Sequence, residues 1–198
     1  IKAIRKEFGD IPLTVDANSA YTLKDIDLFK EMDQYQLQYI EQPLGEEDIV
    51  DHAVLQKEIE TPVCLDESVV SYEAAEAAIR LGSCKVINIK SSRCGGVYEG
   101  KRIHDLCVAH GIPVWCGGMT ELGIGRAQNV SFASLPGFTE LAHDVAAANR
   151  YFDEDITSPM VDITDRCTII VPDEDNGIRY EVDEKQIDKM EAGHWIFK

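Results

Sequence analysis

Three carboxylates recur at constant spacing early in the chain: Asp16, Glu41 and Asp66 stand 25 residues apart, and Lys90 follows 24 residues later. Each closes a short apolar run of β type, over residues 13–16, 37–41, 62–66 and 85–90. Taken singly, an acid after a strand is most often a turn former or a helix cap. Together the four say more. Residues that end successive parallel strands face a shared mouth, and three anions in one mouth repel each other and need compensation. A hard divalent cation supplies it. Mg2+, or Mn2+ in its place, takes oxygen ligands and keeps positions open for water or a substrate carboxylate. Asp16, Glu41 and Asp66 are therefore the expected metal ligands, with Lys90 beside them.

The elements that must position these residues alternate regularly. Helical patterns are expected over 23–32, 47–59, 72–81, 97–110 and 123–133, between the four runs above and a fifth strand at 113–116. Thr22, with Asp25 three residues on, has the form of a capping box. Gly82 and Gly111 stand where helices stop. Strands alternating with helices of this length make βαβ units and a parallel sheet, the α/β class. No Gly-x-Gly-x-x-Gly follows the first strand, as a doubly wound dinucleotide fold would require. The near-constant period favours a (β/α) barrel instead.

Five strands precede residue 120, and 140–142 is expected as a short closing strand. A complete barrel takes about 250 residues. The expectation is thus an N-terminally truncated barrel, with at least its first strand and helix absent, opening within a helix that ends at Gly9 and carries Ile1, Ile4 and Phe8 on one face. After residue 157 the pattern becomes turn-rich, with β-like runs at 168–171 and 178–182. Residues 1–157 are assigned to the partial barrel. Residues 158–198 are assigned to a tail that packs on the barrel or on another domain, with Trp195 as an anchor.

Composition narrows the partners. Nineteen Lys and Arg face 36 Asp and Glu, a net charge of −17, which repels nucleic acid and anionic membrane. No apolar stretch reaches the ~18 residues of a membrane span, and no signal-peptide pattern opens the chain. The six cysteines form no Cys-x-x-Cys pair, and several lie in apolar runs, as buried thiols of a reducing compartment do. A cytoplasmic protein with a small-molecule substrate is expected. Homo-oligomerisation is compatible with all of this.

The surroundings of the four residues are distinctive. Asp16-Ala17-Asn18, Glu41-Gln42-Pro43, Asp66-Glu67-Ser68 and Ile87-Asn88-Ile89-Lys90 resemble the metal-ligand and lysine motifs of the muconate-lactonising subgroup of the enolase superfamily. Residues 39–44, 64–68, 112–119 and 123–127 resemble the o-succinylbenzoate synthases and the related N-succinylamino acid racemases. The resemblance runs from about Ile1 to Pro159. It implies removal of a proton next to a carboxylate, through an enediolate stabilised by Mg2+. The reaction it implies is a hydro-lyase step of menaquinone biosynthesis, or racemisation of an N-acylamino acid. It also implies that Lys90 is catalytic, holding the enediolate in the synthases and exchanging the proton in the racemases. Asn18, Gly117, Gly118 and Met119 match substrate-contacting positions.

Departures from the family pattern are equally definite. The Lys-x-Lys base motif does not occur in the chain, and the capping domain that the resemblance implies, on which residues 158–198 could pack, is expected to be absent from it; Ser91-Ser92-Arg93-Cys94-Gly95-Gly96 replaces a Pro-Gly-Arg-Val-Gly-Gly segment, and Ala142-His143-Asp144 replaces a Pro-Gly-Asp type. A noncatalytic fragment or binding module is the alternative of another class. Residues 93–96 before a helix suit a tight turn better than a phosphate cradle, because a P-loop lysine is missing. His104, Cys107 and His110 drift around their helix, which disfavours zinc. Cys116 has no matching base and reads as a packed thiol.

Overall fold

The computed structural model describes residues 1–138, 140–171 and 180–193. Two compact units emerge: Ile1–Trp115 with Gly137–Ala142, and Cys116–Pro136 with His143–Lys198.

The first unit carries the expected alternation. Helix α1 (Lys2–Phe8) leads to β1 (Val15–Asp16), α2 (Ile26–Met32), β2 (Ile40–Glu41), α3 (Val50–Glu58), β3 (Val63–Leu65), α4 (Tyr72–Leu81), β4 (Val86–Ile89) and α5 (Val97–Ala109). A fifth strand, β5 (Val114–Cys116), completes a sheet of order β1-β2-β3-β4-β5. The pairs β1–β2, β2–β3 and β3–β4 are parallel. This is the sequential order that right-handed βαβ units generate.

Local chemistry sets the helix ends. Thr22 and Asp25 form the capping box, although the first turn they open (Leu23–Asp25) is a tighter 3-10 turn that passes into α2. Asp48 accepts from the Asp51 N–H at 2.8 Å at the start of α3, which begins at Val50 rather than at residue 47. Ser71 accepts from the Ala74 N–H and caps α4. Gly82, at φ 72°, ends α4 in the left-handed conformation that glycine adopts without strain.

Side chains alternate along each strand. On one face Tyr39, Cys64, Val86 and Trp115 pack together with Leu141 against them, and the Tyr39 and Trp115 rings stack 5.9 Å apart. Ile40, Val63, Leu65, Ile87 and Ile89 point the other way and are fully buried. Burial on both faces explains why these strands read as nearly continuous apolar runs.

The second unit contains α6 (Gly123–Ala133), a two-stranded antiparallel ribbon of β6 (Thr157–Ser158) and β7 (Glu181–Val182), and α7 (Glu184–Met190). Its core joins Ala127, Val130 and Val161, with Val145, Ile169 and Tyr180 packed on them.

Two expectations need correction. No strand forms at 140–142. Leu141 instead packs into the first unit's core, and the pairing falls at Asp144, which bridges Gly117. The run 168–171 is not a strand either, because the Thr164 N–H bonds to the Thr168 carbonyl at 2.8 Å and folds the segment into a turn. Helix α1 ends at its C-cap Gly9 as expected, and its Ile4 and Phe8 are exposed. Trp195, and the first two residues of the run 178–182, lie outside the described residues. No helix among the described residues is long and apolar enough to cross a membrane.

Candidate metal centre

Register places the carboxylates. Asp16 pairs with Glu41, and Glu41 pairs with Cys64, which pairs with Val86. Leu65 pairs with Ile87, so Asp66 stands opposite Asn88, one row nearer the strands' C-terminal ends. Lys90 follows two residues after Asn88. Because side chains alternate, Asp16, Glu41, Asp66, Asn88 and Lys90 all belong to one sheet face. That face also carries the Tyr39, Cys64, Val86 and Trp115 cluster. The polar rows therefore stand over an apolar floor.

The electrostatics follow from this placement. Glu41 is 7% exposed, and its carboxylate accepts from Asn88 Nδ2 at 2.9 Å. Burial pushes its carboxyl up to about 7; the Asn88 hydrogen bond opposes the rise, and the charges of Asp16 and Asp66 add to it. Asp66 is 1% exposed. Burial raises its carboxyl too, against the hydrogen bond and charge of Lys90 and the charge of Arg93. Lys90 Nζ lies 2.8 Å from Asp66 Oδ2, and the Arg93 guanidinium pairs with Oδ1. Asp16 is exposed and is bracketed by Asn18, whose backbone N–H and side-chain amide donate to its two oxygens at 2.9 and 2.8 Å.

The donor types fit a hard divalent cation. Two of the three acids are buried and resist ionisation without added positive charge. Beside them the buried Asn88 Oδ1 has no hydrogen-bond partner. In this arrangement, however, no group of three or more His, Cys, Asp or Glu side chains converges on one ion among the described residues. The reason is visible in the pairings. Lys90 and Arg93 take both oxygens of Asp66, while Glu41 turns to Asn88.

The remaining candidates sit elsewhere. Gly117 and Gly118 lie in the second unit, where the Gly118 N–H bonds to the Asp144 carbonyl at 2.8 Å and a Cβ at Gly118 would meet that oxygen at 3.0 Å. Met119, in the same unit, is exposed, and its N–H bonds to Glu121 at 2.7 Å. His104 and Cys107 are buried while His110 is exposed, so they share no site. Five cysteines are buried free thiols, and Cys167 is exposed. Gly95 and Gly96, at φ 94° and 120°, make the tight turn expected before α5.

Three site residues escaped sequence reasoning. Arg93 stood in the segment that departs from the family pattern. Asn88 stood in the motif Ile87-Asn88-Ile89-Lys90 without a role of its own. Gln42 lay inside a motif and is fully buried.

The chain matches the Enolase C-terminal domain-like family over residues 1–186 and belongs to it. An o-succinylbenzoate synthase of Geobacillus stearothermophilus is 51% identical over 96% of this chain and 50% of its own. That of Bacillus subtilis is 58% identical over 82% of this chain and 44% of its own. An N-succinylamino acid racemase of Amycolatopsis is 54% identical over 81% of this chain and 44% of its own. Among solved structures, an enolase-superfamily member from Listeria innocua superposes with a TM-score of 0.89, at 44% identity, over 95% of this chain and 50% of that one. A dipeptide epimerase from Enterococcus faecalis complexed with Mg and the dipeptide L-Leu-L-Tyr gives a TM-score of 0.73 at 30% identity, over 81% of this chain and 46% of that one. The chain spans about half the length of the curated relatives it matches.

Proposed function

We propose that the protein carrying this chain is a Mg2+-dependent enzyme that removes an α-proton from a carboxylate substrate, acting as an o-succinylbenzoate synthase. The observation that carries the reading is the single sheet face shared by Asp16, Glu41, Asp66 and Lys90. The five-stranded sheet is read as an arc of a (β/α) barrel, with residues 158–198 as its tail.

In this reading Asp16, Glu41 and Asp66 hold the cation. When bound, it supplies Lewis-acid stabilisation of the charge that develops on the substrate carboxylate. An α-carbon is too weak an acid for an amine base alone, so stabilisation specific to the transition state is what raises the rate. Lys90 carries its ammonium at the same face and holds the anion formed at the α-carbon. Asn18 fixes the orientation of Asp16, and Gly117, Gly118 and Met119 are assigned to substrate contact. The proton-accepting lysine is assigned to a Lys-x-Lys strand outside this chain, so residues 1–198 alone should show negligible turnover.

A second reading, N-acylamino acid racemase, is favoured by the racemase relative at 54% identity. Both reactions use the same ligands and lysine. Assaying the full-length protein with the dehydration substrate and with an N-succinylamino acid in D2O separates them. Dehydration supports the synthase. Deuterium wash-in at the α-carbon without any dehydration would replace it with the racemase, and inactivity on both would overturn the proposal.

A further inference from the structure

We infer that Gln42 is a positioning residue that sets the spacing of the three carboxylates by tying together the ends of β1, β2 and β3. The inference rests on reading Asp16, Glu41 and Asp66 as one metal centre.

Gln42 directly follows Glu41 and has no exposed surface. Its backbone N–H donates to the Cys64 carbonyl of β3 at 2.8 Å, and its carbonyl accepts from the Ser19 N–H, beyond β1, at 2.8 Å. Its side chain continues outward from there. Oε1 accepts from the Asp66 N–H at 3.0 Å and the Ser68 N–H at 3.3 Å. Nε2 donates to Ser68 Oγ at 2.7 Å and to the Leu44 carbonyl at 3.3 Å. A glutamine amide offers two lone pairs and two N–H donors, and each finds a partner here. One residue is thus bonded to the segment after Asp16, to the strand of Asp66 and to the backbone N–H of Asp66 itself.

Backbone conformation points the same way. Gln42 sits at φ 34°, and Asn18 and Ser19 at φ 42° and 61°. All three are non-glycine residues in left-handed conformation, just past the candidate ligands Glu41 and Asp16. Such strain persists only where surrounding contacts over-determine it, and the bonds of Gln42 do this for both segments. No near relative of the side chain replaces it. Glutamate keeps the acceptors but loses both donors and adds a buried anion, asparagine is one methylene short, and methionine fills the space without bonding.

The test uses Gln42→Met and Ser68→Ala in the full chain. Mn2+ binding is followed by paramagnetic resonance below each variant's melting transition, with the melting temperature measured in parallel. Loss of residues that orient metal ligands typically costs about 10- to 100-fold in affinity. Gln42→Met should weaken Mn2+ binding by this much and change the spectrum of the bound ion; Ser68→Ala should weaken it by a smaller factor. A residue needed only for stability would lower the melting temperature and leave the affinity of folded protein intact, and that result overturns the inference. Should Gln42→Met fail to fold, unchanged Mn2+ affinity in Ser68→Ala overturns it alone. Wild-type protein that binds no Mn2+ removes the metal-centre reading and this inference together, so the two failures are distinguishable.

Discussion

Asn88 reaches across β3 to donate its side-chain amide to Glu41 at 2.9 Å, joining two strands, β4 and β2, that are not neighbours in the sheet. A neutral hydrogen bond of this kind satisfies one oxygen of a buried carboxylate but does not neutralise it. Burial therefore still dominates, and Glu41 remains an acid whose ionisation the fold resists.

The first prediction follows directly. Glu41→Gln keeps the size and the acceptor for Asn88 while removing the charge. A carboxyl raised in the folded state leaves stability unchanged below its unfolded value near 4.5. Stability is then lost as pH rises towards about 7, because the unfolded chain gives up its proton first. Metal-free Glu41→Gln should thus exceed wild type in stability at pH 8, by on the order of 1–3 kcal/mol, and the gap should close towards pH 4.5. Urea unfolding with a chelator present measures this. A variant weaker than wild type at pH 8 would contradict the electrostatic account.

Asp66→Asn should do the opposite: burial raises its carboxyl as well, but the loss of its pairing with Lys90 and Arg93 outweighs the relief of one buried charge. Asp66 is buried beneath two cations whose side chains are only 16% and 18% exposed, Lys90 and Arg93. Removing one member of a buried ion pair leaves the other charge poorly compensated, at a cost of about 3 kcal/mol. The same unfolding experiment reads it. Near-neutral stability in Asp66→Asn would mean that the two ion pairs do not hold this part of the fold together.

The contrast between these two acids explains what the sequence could convey. The strand period of Asp16, Glu41, Asp66 and Lys90 was legible because each residue ends its run, and because burial on both faces writes β2, β3 and β4 as apolar runs. Helix ends were legible where a cap was local, as at Thr22 before α2 and Gly82 after α4. Asn88 on Glu41 was not legible, since a contact across an intervening strand depends on register. Arg93 on Asp66 depends on the turn after β4, where the Arg93 N–H bonds to the Lys90 carbonyl at 2.9 Å. The missing strand at 140–142 failed for a related reason: Leu141 had a tertiary partner in the apolar floor, which overrode a short β-like run.

His52 provides a pH dependence of the opposite sign. Its ring is buried, with Nδ1 at the Asp48 carbonyl and Nε2 accepting from the Leu44 N–H at 3.1 Å. A carbonyl only accepts and an N–H only donates, so the ring must be neutral with its proton on Nδ1. Burial lowers its pKa. The stability it contributes is present above the unfolded value near 6.5 and is lost as pH falls below it, with a slope of at most about 1.4 kcal/mol per pH unit. His52→Gln should flatten this part of the profile. Subtracting the two curves cancels the contributions of Glu41 and of His143, a half-buried histidine whose pKa is also lowered by burial. A difference curve that stays level from pH 7 to pH 5 would refute the assignment.

A divalent cation should invert the ranking of wild type and Glu41→Gln. Without metal, the wild type bears the unfavourable charge that the variant lacks. With metal, that charge becomes favourable, because a ligand that binds only the folded state stabilises it by mass action. The gain is about 2.7 kcal/mol at a concentration 100 times the dissociation constant. The amide that Glu41→Gln introduces is a poorer partner for a hard cation than a carboxylate, so the variant should gain much less. Asn88 must release Glu41, or share it, for the carboxylate to turn towards an ion, and Lys90 and Arg93 must yield at least one oxygen of Asp66. The observed gain should therefore fall short of that for preorganised ligands. Melting curves of both proteins across a Mn2+ titration at pH 8 test the claim, and they should cross. Curves that stay parallel, with the variant above wild type at every concentration, would show that Glu41 does not contribute to holding the ion.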